Sequence, residues 1–180
     1  MTKERTTLKD FTDNMGLVIG LASGAALLTF FANFAGLDPP SYPQIKYVGA
    51  ALSVACALIV WNKARNATVK YRSRMIAVCA ILMIAGLLTY FFAYSLFVEP
   101  GPGPDIRIVR GYECTTAALA VFGNSCPDLP SSALADAQWD TRQLWTRLSV
   151  SIVEFGLVTT WLVFTTALIA TIGAVIAGRK

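Results

Sequence analysis

Histidine does not occur anywhere in the 180 residues. That absence removes haem with histidine ligation, histidine-containing zinc sites, Ser-His-Asp hydrolysis and histidine proton shuttles from what the chain can do alone. There is no C-x-x-C pair, no phosphate-binding G-x-x-x-x-G-K-[ST] loop and no G-x-G-x-x-G turn. Charge is scarce as well: 14% of residues are charged against 55% hydrophobic, where a soluble domain carries roughly a quarter charged. Catalysis by paired carboxylates inside apolar segments would need acids there, and Glu154 alone comes near one. The expectation is a protein that is not an enzyme and needs no cofactor or metal.

The few charges are segregated. No Asp, Glu, Lys or Arg occurs from Asn14 to Leu37, from Met75 to Val98, or from Phe155 to Gly178, three stretches of 24 residues each. A helix needs about 20 apolar residues to cross roughly 30 Å of hydrocarbon, and none of these stretches shows the polar face of a helix on a soluble core. A fourth uncharged stretch, Tyr47 to Asn62, has 16 residues. It reaches spanning length if Pro43–Lys46 joins it and the Lys46 ammonium snorkels outward. Tyr42, Tyr47 and Trp61 bracket it as interfacial aromatics do; a re-entrant or interfacial helix is the other reading.

Orientation follows from where the cations lie. Lys63, Arg65, Lys70, Arg72 and Arg74 fall between the second and third spans with no acid among them, and Lys3, Arg5, Lys9, Arg179 and Lys180 lie at the ends. By the positive-inside rule the termini and the 62–74 loop face the cytoplasm, and residues 99–147 face outward. The first apolar run is too long for a signal-peptide core and lacks a small-x-small cleavage site, so it is expected to be retained. The expected organisation is a cytoplasmic lead at 1–14, spans one to three within 15–98, an extracytoplasmic cap at 99–147, and span four with the C-terminus at 148–180. The fold class is all-α: a four-helix transmembrane bundle in the bacterial inner membrane.

The cap opens on Glu99-Pro100-Gly101-Pro102-Gly103-Pro104, which no helix can cross. Ile106–Val109 alternates like a short strand, 114–122 suits a short helix, and 124–128 suits a turn. Cys114 and Cys126 are an even pair in an oxidising compartment and are expected to form a disulfide; unpaired thiols or a bond to another subunit are the alternatives. From about residue 138 one helix is expected to run unbroken to 178, roughly 60 Å long at 1.5 Å per residue.

Within the spans, Gly16-x-x-x-Gly20-x-x-x-Gly24 and Gly49-x-x-x-Ser53-x-x-x-Ala57 are stripes of small residues. Such stripes let helix backbones approach where lipid supplies no hydrophobic drive, either within one bundle or between subunits of a homo-oligomer. Glu154 and Asn33 are candidates for an ion pair or a pore position, and Glu154 lies within reach of Arg107, Arg142 or Arg147. Thr159, Thr160, Thr165, Thr166 and Thr171 are dense enough to leave a hydrated face open, although such hydroxyls more often bond to helix carbonyls. The basic loop is a topology signal and headgroup contact, or a dock for a cytosolic protein; with aromatic interleaving limited to Tyr71, a nucleic-acid partner is not expected.

Gln143-Leu144-Trp145-Thr146-Arg147-Leu148-Ser149, leading into Trp161 and a Gly/Ala-rich terminus, resembles the last span of small four-span modules from bacterial anti-phage defence operons, such as the membrane subunit of the Kiwa system. The resemblance implies an oligomeric membrane sensor or membrane-disrupting effector that works with a separate cytosolic protein. Without it, an accessory or anchoring subunit of a larger envelope complex, or an oligomeric channel, remains open.

Overall fold

A computed structural model describes residues 39–40, 45–65, 67–103 and 106–177. The N-terminal lead, the first span, Gly16, Gly20, Gly24 and Asn33 lie outside the described residues. The chain is mostly helical. Among the described residues three helices are long and apolar enough to cross a membrane: α1 (Ile45–Arg65), α2 (Val69–Phe97) and α6 (Arg147–Ala177). At 1.5 Å per residue they measure about 32, 44 and 46 Å. The short second uncharged run therefore sits inside a helix of spanning length, extended at both ends by residues the charge count had excluded.

Three boundaries of the long helices have a local cause. The Thr68 hydroxyl accepts the Tyr71 N–H (3.4 Å) and the Thr68 carbonyl accepts the Arg72 N–H (3.0 Å), which starts α2. Helix α2 ends where Val98 turns extended ahead of Pro100. Thr146 caps α6, its hydroxyl accepting the Ser149 N–H and its carbonyl the Val150 N–H.

Between α2 and α6 lies a segment of short elements: strands β1 (Val98–Pro100) and β2 (Arg107–Val109), and helices α3 (Thr116–Phe122), α4 (Ser131–Asp136) and α5 (Thr141–Leu144). The strands pair antiparallel, with Val98 opposite Val109 and Pro100 opposite Arg107. The alternation at 106–109 thus marks a real strand, whose partner is the extended run before the prolines. Helix α3 is capped by Thr115, which accepts the Ala118 N–H.

One expectation is overturned. The helix from about 138 to 178 is not continuous: Gln138 (φ 52°) and Trp139 (φ 64°) adopt left-handed backbone, and α6 begins only at Arg147. Trp145 is extended instead of helical because it bridges to Cys114, and the Thr146 N–H donates to the Glu113 carbonyl (2.8 Å). Burying the whole indole fixes the break: Trp145 is fully buried, with Leu134, Leu144, Ala118, Leu129 and Val150 in the same core.

By contacts the described chain divides into two compact units, one of residues 45–86 and 162–177, the other of 39–40 and 87–161. In the first, α1 and α2 are joined by residues 66–68, which makes them antiparallel neighbours. A Cβ on Gly49 would lie 3.2 Å from Leu162 Cδ2, and one on Gly173 would lie 3.4 Å from the Ala57 carbonyl oxygen. These two contacts advance together along both chains, so α1 and α6 run in the same direction. In the second unit the short elements form an apolar core around Trp145, between the end of α2 and the beginning of α6.

Candidate functional site

The prolines that end α2 leave its last carbonyls without helical partners. Arg110 supplies them from across the hairpin. Its backbone N–H donates to the Phe97 carbonyl (2.8 Å) and its guanidinium Nη2 to the Leu96 carbonyl (2.7 Å). Nη1 pairs with Glu99 on β1 (3.1 Å) and lies 3.8 Å from Asp128, just beyond Cys126. The Arg110 side chain is only 16% exposed and Glu99 25%, whereas Asp128 is 90% exposed. A cation at a helix C-terminus is also favoured by the helix dipole. The Glu99 pair therefore carries the ionic part of this joint, and Asp128 adds little.

The start of α6 is held from the same short stretch of chain. Thr146 Oγ1 donates to Glu113 Oε2 (3.2 Å), and the fully buried Ser149 donates its hydroxyl to the Glu113 carbonyl (3.2 Å) and the Thr146 carbonyl (2.9 Å). Gly111, between these two joints, packs so closely that a Cβ there would collide with Ser149 Oγ and lie 2.7 Å from Trp145 Cβ. Residues 110–113 thus bind the end of one long helix and the beginning of another.

A covalent staple keeps this stretch in place. Cys114 and Cys126 form a disulfide within the chain, with Cα atoms 6.3 Å apart. The Trp145 indole donates to the Pro127 carbonyl beside it (3.2 Å), and the Thr115 N–H donates to the Leu144 carbonyl (2.9 Å). The arrangement ties the end of α2 and the start of α6 to one short stretch of chain.

The remaining sequence candidates are dispersed. Ser53 and Ala57 are buried on α1, and Gly49 meets Leu162 of α6. Tyr90 and Trp161 stack 5.2 Å apart. Counting seven residues from that contact towards the connecting segment on each helix brings Glu154 level with Phe97, the last residue of α2. Glu154 is half-buried there and makes no ion pair among the described residues, with Arg107, Arg142 and Arg147 exposed. On α6 the hydroxyl of Thr160 donates to the Gly156 carbonyl (2.9 Å), that of Thr165 to Leu162 (3.2 Å), that of Thr166 to Leu162 (2.6 Å) and that of Thr171 to Ala167 (2.7 Å). The hydroxyls of Thr160, Thr166 and Thr171 are thus directed at their own helix. Lys63, Lys70 and Arg74 are exposed, Arg72 is half-buried, and Arg65 closes α1.

No protein-family model, curated protein or solved structure matches this chain.

Sequence reasoning missed Arg110, Gly111, Ser149 and Gly86. Arg110 lies within 99–147, the segment expected to face outward, and its charge alone does not set it apart from the other cations there. Gly86 belongs to no small-residue stripe, yet a Cβ on it would lie 3.1 Å from the Phe164 nitrogen and 3.3 Å from Phe164 Cα. The backbones of α2 and α6 approach through that position. The Arg110-Gly111 dipeptide directly after an alternating apolar run was the one available signal for the joint.

Proposed function

We propose that the chain is a non-enzymatic, oligomeric protein of the bacterial inner membrane that crosses four times and senses disturbance at the outer face. The termini and the 62–74 loop face the cytoplasm, and residues 99–147 form the extracytoplasmic cap. The observation that carries this reading is the joint at 110–113: Arg110 holds the end of α2 while Glu113 and Gly111 hold the start of α6. A cap displaced by a ligand or by membrane deformation would move the ends of two spans together. The apolar exteriors of the long helices suit lipid: Ile81, Leu82, Leu88, Phe91, Phe92 and Leu96 of α2 are all exposed, a surface too extensive for a soluble domain. The resemblance of the fourth span to defence modules sets the pathway we assign, antiviral defence or envelope stress, with a cytosolic protein receiving the signal.

The channel alternative loses support from the hydroxyls of Thr160, Thr166 and Thr171 on α6, which bond to their own helix. Expressing the protein alone while following membrane potential separates the readings. A sensor leaves the potential unchanged, whereas depolarisation on induction would favour a pore or membrane-disrupting effector and contradict the sensor.

A further inference from the structure

The turn between α1 and α2 concentrates positive charge that no acid among the described residues pairs with. Lys63 and Arg65 end α1, and Lys70, Arg72 and Arg74 occupy the first two turns of α2, with only residues 66–68 between the helices. The chain contains no acid from Tyr47 to Val98. Lys63, Lys70, Arg72 and Arg74 form no salt bridge among the described residues. The helix does not compensate them either, because no acid sits in the first turn of α2, where the backbone dipole is already positive. Four cations left without an ion pair among the described residues are open to an external anion.

The spacing of the cluster selects that anion. Arg74 directly precedes the uncharged run that starts at Met75, and Lys63 directly follows the one that ends at Asn62. From Arg74 to Lys70 the helix rises about 6 Å, and the headgroup layer of one leaflet is about 5–8 Å deep. The cations therefore fill the depth of the lipid phosphates and go no further. A turn of three residues offers no projecting loop for a protein to grip. Tyr71 is exposed between Lys70 and Arg72, where an aromatic ring suits the interface.

We infer that the α1–α2 turn is a binding site for anionic phospholipid headgroups, recognised through their phosphates and net negative charge. This rests on the membrane reading above and adds selectivity to it: the turn takes anionic over zwitterionic lipid, so the lipid composition of the inner leaflet sets how firmly α1 and α2 are anchored.

The test uses the purified full-length chain, with native mass spectrometry of bound phosphatidylglycerol against phosphatidylcholine. One variant carries Lys70→Gln, Arg72→Gln and Arg74→Gln; a control carries Arg107→Gln, Arg142→Gln and Arg147→Gln, the same change in net charge. At about five-fold per basic residue near the surface, the turn variant is expected to bind phosphatidylglycerol on the order of 100-fold more weakly, and the control to bind as the parent does. Equal binding by the turn variant and parent overturns the proposal, as does an equal loss in the control. Co-purification of a stoichiometric acidic protein that the turn variant alone loses, with no lipid preference in the parent, overturns it in favour of protein docking. Carbonate extraction of membranes is run in parallel: a chain that stays in the pellet but shows no lipid preference refutes the headgroup site alone, whereas a chain released by carbonate refutes the membrane reading itself.

Discussion

Replacing Gly111 by alanine should loosen the short elements that follow α2 from the start of α6 while leaving the long helices intact. The added methyl would lie 2.7 Å from Trp145 Cβ and 3.1 Å from its Cγ, and would collide with Ser149 Oγ. Carbon atoms in favourable contact sit about 3.5–4.0 Å apart, so the pieces must separate by close to 1 Å. Trp145 cannot yield by rotation, because Cβ is attached to a backbone whose N–H is bound to the Thr141 carbonyl and whose indole is bound to Pro127. Overpacking of this kind costs about 1–3 kcal/mol. If Ser149 turns away, the hydrogen bond to Glu113 goes too, for about 0.5–1.5 kcal/mol more. The expected total, about 2–4 kcal/mol, corresponds to roughly 30- to 1000-fold faster hydrogen exchange at the first amides of α6. Exchange measured by mass spectrometry on the reconstituted protein reads this directly. Adding Ser149→Ala removes the colliding oxygen and should recover part of the protection, a coupling of about 1 kcal/mol between neighbours. Parental exchange in Gly111→Ala, or strict additivity in the double variant, would refute this account of the joint.

Three further outcomes are expected. Arg110→Gln should destabilise the end of α2 by about 1–3 kcal/mol, since it removes charge-assisted bonds from a mostly buried site; its effect should not add to that of Glu99→Gln, and additive losses in thermal unfolding followed by tryptophan fluorescence would show that the two residues do not act together. Gly86→Leu should lower the temperature at which the detergent-solubilised protein aggregates, because its Cβ meets Phe164 backbone, whereas Gly156→Leu should be tolerated, as nothing lies within 4 Å of a Cβ there; equal behaviour of the two variants would contradict the α2–α6 packing. Gly20→Leu should break oligomers in mild detergent if the glycine stripe of the first span joins subunits, and an unchanged oligomer mass by light scattering would remove that role.

Much of the architecture was legible because long uncharged apolar runs favour long helices and a proline run ends one. The uncharged runs located three long helices, the proline run marked the end of α2, and the even pair Cys114 and Cys126 in one segment anticipated the disulfide. What escaped depends on contacts between parts distant in sequence. Within 138–147 only Thr141–Leu144 is helical, capped by Asp140; the left-handed Gln138 and Trp139 precede it, and the bridge of the buried Trp145 to Cys114 ends it. Arg110 looks like any outward cation until the open carbonyls of Leu96 and Phe97 are seen beside it. Gly86 has Leu82 and Tyr90 four residues away on either side, so no stripe announces it, and only the approach of Phe164 explains why a side chain has no room.

The central claim is the four-span topology, and the side of the membrane reached by the N-terminus tests it most directly. In a background of Cys56→Ser and Cys79→Ser, single cysteines at Thr7→Cys, Lys70→Cys and Asp136→Cys can be treated with a membrane-impermeant maleimide in spheroplasts. The account predicts labelling of Asp136→Cys in intact spheroplasts, and of Thr7→Cys and Lys70→Cys only after permeabilisation. Labelling of Thr7→Cys from outside, with Lys70→Cys still protected, would mean that residues 1–38 do not cross and that the protein has three spans.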